Sequence, residues 1–83
     1  MKVTAQYIGR RNYKVTAKRK DGEILQKTFK EPFLKDPKDY QKEISKLYNE
    51  FVKHGFDING RDLYNRIKIA AESEGREFPN LLV

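Results

Sequence analysis

The chain has 83 residues, 37% of them apolar, and its 18 basic and 12 acidic side chains give a net charge of +6. This length and apolar fraction allow one small domain with a modest core, since a chain of this size buries only ~60% of the surface that its unfolded form exposes. The absence of cysteine excludes disulfides, iron–sulfur clusters and thiolate zinc sites, and no apolar run is long enough to span a membrane.

The first part of the chain alternates between polar and apolar side chains, as half-buried strands do. This alternation predicts a first strand over residues 2–8 and a second over 13–19, joined by a turn at 9–12. The inward positions of these two strands are Val3, Ala5, Tyr7, Tyr13, Val15 and Ala17.

A second hairpin follows, with its turn at Lys20-Asp21-Gly22. A two-residue turn would place inward and outward side chains opposite one another. A three-residue loop with Gly22 in the left-handed conformation instead pairs Ala17 with Leu25 and Tyr13 with Phe29. We expect this second register, because a slip by one residue would expose the whole apolar set. It places Lys27 on the inner face, where the side chain must reach the sheet edge.

Two helices are predicted after the sheet, which ends near Pro32. Asp36 is a suitable N-cap for the first, Pro37 suits its first position, and Gly55 stands where a C-terminal cap belongs. The apolar stripe predicted for this helix is Tyr40, Ile44, Leu47, Tyr48, Phe51 and Val52.

The second helix is predicted to begin at a cap formed by Asn59 or Asp62 and to run to about Glu74, with Gly75 ending it. Its predicted buried face contains Leu63, Ile67, Ala70 and Ala71, with Tyr64 beside it. The apolar tail that follows contains Phe78, Leu81, Leu82 and Val83. We expect this tail to dock on the core, because exposed apolar clusters are a liability in a small monomer.

The predicted fold is therefore α+β: a three-stranded antiparallel sheet followed by two helices, one of which packs on one sheet face. We interpret residues 1–83 as a single small domain. It consists of a basic β-meander at 1–31, a helical part at 36–75 and the apolar tail at 76–83. The other sheet face is predicted to be polar, basic and open to solvent.

The positive charge is concentrated in the first part of the chain. Residues 1–35 contain ten basic and three acidic side chains, a balance of +7, whereas residues 36–83 contain eight and nine, a balance of −1. Such a segregated positive field attracts polyanions and speeds their encounter. This asymmetry favours nucleic acid or another acidic partner.

No enzymatic constellation is evident. His54, the only histidine, is expected at a helix C-terminus, where a cation meets the helix dipole favourably. The only serines, Ser45 and Ser73, fall on predicted helices and indicate no nucleophile. The acidic residues of the second half alternate with basic ones, as on a solvated helix surface. We therefore expect no catalytic residue, no metal site and no cofactor.

The outer sheet face and its turns supply the candidate contacts to nucleic acid. Lysine and arginine would bind phosphates and position the domain, whereas threonine and glutamine would hydrogen-bond to base edges. The candidate residues are Arg10, Arg11, Lys14, Thr16, Lys18, Lys20, Gln26, Thr28 and Lys30. Their basic members share one region of the sequence that has few acidic neighbours.

Residues 12–23, followed by Gln26-Lys27-Thr28-Phe29, resemble the arm-type DNA-binding domain of phage and transposon integrases. The shared features are an aromatic-led basic strand, a Lys-Asp-Gly turn and a second basic strand that ends in phenylalanine. The resemblance covers about half of the chain. It implies a sheet inserted in the major groove with a helix packed behind it, and Lys14, Thr16, Lys18, Gln26 and Thr28 as face residues. The Thr-Lys-Lys-Glu-Ala-like helix start that is usual in the family is replaced here by Pro37-Lys38-Asp39-Tyr40, and the chain has no recombinase domain.

The leading hypothesis is a module that binds duplex DNA. RNA is a less favoured ligand, because RNA-binding sheets usually expose aromatic side chains. The alternative is a phage-type inhibitor or adaptor that engages an acidic or nucleic-acid-processing protein through the helix tyrosines and the apolar tail. A homo-oligomer formed through sheet edges ranks lowest, because lysines along the strands oppose that pairing. Met1-Lys2 leads directly into alternating residues, so we expect no secretory signal and a cytoplasmic location.

Overall fold

A computed structural model describes residues 1–80 of the chain. Three strands precede two helices, in the predicted order. The elements are β1 (Lys2–Gly9), β2 (Asn12–Lys18), β3 (Ile24–Lys30), α1 (Pro37–Lys53) and α2 (Gly60–Ser73). The strands form one antiparallel sheet in the order β1-β2-β3, which confirms the predicted α+β architecture.

The predicted register of the second hairpin is confirmed: Ala17 lies opposite Leu25, and Tyr13 lies opposite Phe29. The connecting loop is closed by the Arg19 N–H donating to the Glu23 carbonyl at 2.8 Å. Gly22 adopts the predicted left-handed conformation with a φ of 94°. Lys27 does occupy the inner face, and its ammonium reaches Glu50 on α1 at 3.9 Å.

The first hairpin has a tighter turn than predicted. β1 continues to Gly9, which lies opposite Asn12, so only Arg10 and Arg11 connect the strands. Both arginines have positive φ, at 52° and 62°. Two-residue turns of this kind match the twist of the flanking strands, but they usually carry Asn and Gly at these positions because other side chains are strained there.

The predicted caps of α1 are confirmed. The Asp36 carboxylate accepts a hydrogen bond from the Lys38 N–H at 2.9 Å, and Pro37 begins the helix. Gly55, with a φ of 85°, reverses the chain so that the Phe56 N–H donates to the Phe51 carbonyl. That bond satisfies a carbonyl that the end of the helix would otherwise leave unpaired.

The second helix is capped by Asn59 rather than Asp62. The Asn59 side chain accepts hydrogen bonds from the backbone N–H groups of Arg61 and Asp62. The helix ends at Ser73, close to the prediction, and Gly75 has a φ of 70°. The Arg76 N–H then donates to the Ala71 carbonyl at 3.0 Å, which turns the chain back toward the sheet.

One continuous core joins the inner sheet face to the helices. Both helices contact the sheet, α1 mainly beside β3 and α2 mainly beside β1, whereas the sequence interpretation assigned only one helix to it. The predicted docking of the tail is confirmed for Phe78, which packs against Phe29, Tyr40 and Tyr64. Leu81, Leu82 and Val83 lie outside the described residues.

Of the six positions in the predicted stripe of α1, four are buried, one is half-buried and one is exposed. Tyr40, Ile44, Leu47 and Phe51 are buried, and Tyr48 is half-buried. Val52 is exposed instead, at the edge of the predicted stripe. Within residues 1–80, neither helix has the length and apolarity required to cross a membrane.

Candidate nucleic-acid interface

The outer face of the sheet is the side that neither helix covers. Alternation along each strand sends most apolar side chains to the core and most polar ones to this side, with Lys27, which lies inward, and Ile24, which lies outward, among the exceptions. The antiparallel register aligns these polar positions in rows across the strands. The rows are Lys2–Lys18–Ile24, Thr4–Thr16–Gln26, Gln6–Lys14–Thr28 and, beyond them, the pair Asn12–Lys30.

This face is positively charged without an internal counter-ion. Four lysines lie on it: Lys2, Lys14, Lys18 and Lys30. None of the strand residues that share the face, all within residues 2–30 of the described chain, is acidic. Because like charges are spread over an open surface, their field adds outward and attracts a polyanion.

The dimensions of the face suit a nucleic-acid groove. Neighbouring strands lie ~4.8 Å apart, so three strands span about 10 Å, and a seven-residue strand extends over roughly 20 Å. The major groove of B-form DNA is about 12 Å wide. Both helices pack on the opposite side, so they do not obstruct an approach to the outer face.

The predicted base-reading residues lie together on the two strands that the sequence indicated. Thr16 and Gln26 are direct neighbours, and the Gln26 amide donates to the Thr16 hydroxyl oxygen at 3.3 Å. Thr28 lies opposite Lys14 in the next row. The Gln26 carbonyl and one of its N–H groups are left to meet a base edge.

The basic residues that the sequence grouped together are in fact spread over both ends of the sheet. Arg10 and Lys30 lie at the end formed by the first turn, and Lys20 lies in the turn at the opposite end. Lys14 and Lys18 lie between them along β2. The charges therefore form a band along the sheet rather than a cluster.

Arg11 lies in the turn at one end of the sheet, as the sequence interpretation placed it. Its carbonyl accepts a hydrogen bond from the Glu31 N–H at 2.7 Å. Its guanidinium carbon lies 5.0 Å from the ring centroid of Phe33.

Two apolar side chains that the sequence interpretation did not use are exposed beyond β3. Phe33 is 81% exposed and Leu34 66% exposed. They follow Pro32, which ends the ladder, and they precede the cap of α1, so no element covers them. The sequence indicated their exposure only through their position. An apolar pair between Pro32, which ends the sheet, and Asp36, which caps α1, must lie in a loop.

Sequence reasoning also overlooked a buried polar network at the end of the sheet. The Glu31 side chain is 1% exposed, and its carboxylate accepts hydrogen bonds from the Tyr13 hydroxyl at 2.9 Å and from the Arg76 guanidinium. Lys35 lies 3.3 Å from the same carboxylate and donates to the Tyr40 hydroxyl. Tyr13 and Arg76 are 18 and 45 residues away from Glu31 in sequence, so no local pattern reveals that they meet its carboxylate.

The network shifts the protonation of its members. Burial by itself opposes the charged form of Glu31, but hydrogen bonds from Arg76 and Tyr13 outweigh it and lower the pKa of this carboxyl. Burial, together with the hydrogen bond to Glu31, raises the pKa of Tyr13 well above its usual value. All members already have partners, so the network stabilises the fold and is not a free binding site.

The contacts proposed for a protein partner are largely occupied by the fold. Tyr40 and Tyr64 are buried, and Phe78 packs between them in the core.

His54 lies at the C-terminus of α1, where its Nδ1 is 2.8 Å from the Glu50 carbonyl oxygen. Among residues 1–80, no group of three or more His, Asp or Glu side chains is arranged to hold a metal ion.

Comparisons of the chain with protein-family models, with curated proteins and with solved structures find no significant match. The surface of the protein is therefore what indicates its function.

Proposed function

We propose that this protein is a small binding module without catalytic activity, which lays the outer face of its sheet in the major groove of duplex DNA. The observation that carries the proposal is a sheet face with four lysines and no carboxylate, left open by both helices. Strands are a known means of reading the major groove. A cytoplasmic location and an origin in a phage or mobile element are part of the same proposal.

The residues divide into two roles. Lys14 and Lys18, with Lys2 and Lys30 on the flanking strands, would bind phosphates and position the sheet. Thr16, Gln26 and Thr28 would reach base edges between them, because they form the interior of the same face. The resemblance to arm-type integrase domains supports this division, since it implies the same face residues.

The test is fluorescence anisotropy with a labelled duplex over a range of salt concentrations. If four lysines each neutralise one phosphate, the logarithm of the affinity falls by about 3.6 per decade of salt. That slope corresponds to roughly a hundredfold loss between about 50 and 200 mM salt. Absence of binding at the lowest salt concentration would rule the proposal out.

A second candidate is the inhibitor or adaptor that binds a protein partner. The exposure of Phe33 and Leu34 favours it, because adjacent exposed apolar side chains often mark a protein contact. A complex of this type would depend on Leu34 and resist salt, whereas DNA binding would not depend on Leu34. The Leu34→Ala variant therefore separates the two candidates.

A further inference from the structure

A cleft of about 520 Å³ lies between the end of the sheet and the first turns of α1. Arg11 and Lys30 line it from the sheet, and Phe33 lines it from the loop beyond β3. Its helical wall is formed by Asp39, Lys42, Glu43 and Lys46, which recur at the spacing of one helix face. The volume is within the range of small-ligand sites.

The charge of this cleft favours an anion. Four basic side chains, Arg11, Lys30, Lys42 and Lys46, face two acidic ones, Asp39 and Glu43. Glu31 also borders the cleft, but its carboxylate is buried and already paired with Arg76 and Lys35. Within residues 1–80, no ion pair joins the lining lysines to the lining acids, so the positive charges are available to a ligand.

One nitrogen atom of the Arg11 guanidinium lacks a hydrogen-bond partner among the described residues. This atom, Nη1, is buried. Buried donors are nearly always paired, so an unpaired guanidinium nitrogen in a basic cleft calls for an explanation. The half-buried Arg11 guanidinium as a whole matches a phosphate in charge and geometry, because guanidinium groups bind phosphate through paired N–H bonds.

The neighbouring ring suggests what carries the phosphate. Phe33 has the Arg11 guanidinium against its ring at 5.0 Å and is otherwise exposed. An exposed ring beside a basic groove is a platform on which an unpaired base stacks. Lys30 belongs both to this cleft and to the outer sheet face, so the two surfaces adjoin at this residue.

We infer that the cleft takes one unpaired nucleotide at the end of the bound DNA, with its phosphate between Arg11 and the lining lysines and its base on Phe33. The inference rests on the proposed binding of duplex DNA and adds a preference for a duplex that ends in a short single-stranded overhang. A free nucleotide offers the same phosphate and base, so the test must separate the two sources.

The test compares a labelled blunt duplex with the same duplex carrying a short thymidine overhang. The wild type is expected to bind the overhang duplex at least about fivefold more tightly, the lower end of what one stacked base contributes. Phe33→Ala and Arg11→Gln should each remove this advantage. The matched controls, Leu34→Ala and Lys53→Gln, should keep it, because neither residue lines the cleft.

The remaining outcomes are distinguishable. Equal binding of the two duplexes by the wild type overturns the inference and leaves the proposed function intact. Absence of binding to both overturns both proposals. If thymidine monophosphate shifts the Arg11 and Phe33 NMR signals but the overhang gives no advantage, the cleft binds a free nucleotide and the strand-end inference is wrong. Thermal unfolding of each variant verifies that the fold is retained, as expected for the exposed Phe33.

Discussion

Two regions of the sheet contain charged side chains in opposite settings. On the outer face, Lys2, Lys18 and Lys30 are exposed and Lys14 is half-buried, and none of the four has an acidic neighbour on the strands of this face. At the end of the inner face, Glu31 is buried and is bound by Tyr13, Arg76 and Lys35. A buried charge must be paired, whereas an exposed one is satisfied by water and can exchange that water for a ligand. The first region is therefore suited to binding and the second to stability.

The largest effect on stability is expected from removing a partner of the buried Glu31 carboxylate. Arg76→Ala leaves the Glu31 carboxylate without its guanidinium partner, and we expect a loss of about 3 kcal/mol in the free energy of unfolding. Urea unfolding measures this loss. Arg66→Ala is the matched control, because Arg66 forms an exposed pair with Asp62 at 3.5 Å and should cost less than about 1 kcal/mol. Equal losses in the two variants would contradict a structural role for the network.

Substitutions on the outer face should weaken DNA binding and leave the free energy of unfolding nearly unchanged. Lys14→Glu with Lys18→Glu is expected to lower duplex affinity at least tenfold and to reduce the salt slope by about 2, since each lysine accounts for about one phosphate. Unfolding stability should change by less than about 0.5 kcal/mol. The control, Lys38→Glu with Lys53→Glu on α1, makes the same change in net charge. If this control variant weakens DNA binding equally, then the lysines contribute through the net charge of the protein and not through their position on the sheet.

Lowering the pH should destabilise the buried network around Glu31. The pKa of Glu31 is lowered in the folded protein, so its contribution to stability is present above its unfolded value of about 4.5 and is lost as the pH falls through the folded value. Urea midpoints measured on acidification should fall more steeply for the wild type than for Glu31→Gln. Asp21→Asn, which replaces an exposed carboxylate, should leave most of the pH dependence of the urea midpoint unchanged. Parallel curves for the wild type and Glu31→Gln would refute this account.

The smallest expected effect concerns the strained turn that borders both regions. Arg10 has a φ of 52°, and Asn tolerates this conformation better than Arg. Arg10→Asn should therefore raise the free energy of unfolding by up to about 1 kcal/mol. Thermal unfolding measures this gain. A variant that is less stable than the wild type would show that the Arg10 side chain stabilises the turn.

The sequence by itself determined the elements and the polarity of the sheet. Alternation with period two, one glycine in a three-residue loop and two helix caps are local properties, and they predicted the strands, the hairpin register and the helix starts. The open basic face followed from the same alternation. Local patterns are reliable here because each depends on backbone geometry over a few residues.

Only the tertiary structure decided which charged residues are available to a ligand. Arg76 pairs with Glu31 across 45 positions of the chain, and such a pairing leaves no trace in a local pattern. Arg11 and Phe33 became neighbours because the first turn and the loop after β3 meet at one end of the sheet. Charge counts along the chain treat all cations alike, whereas packing separates those that hold the fold together from those that remain free to bind.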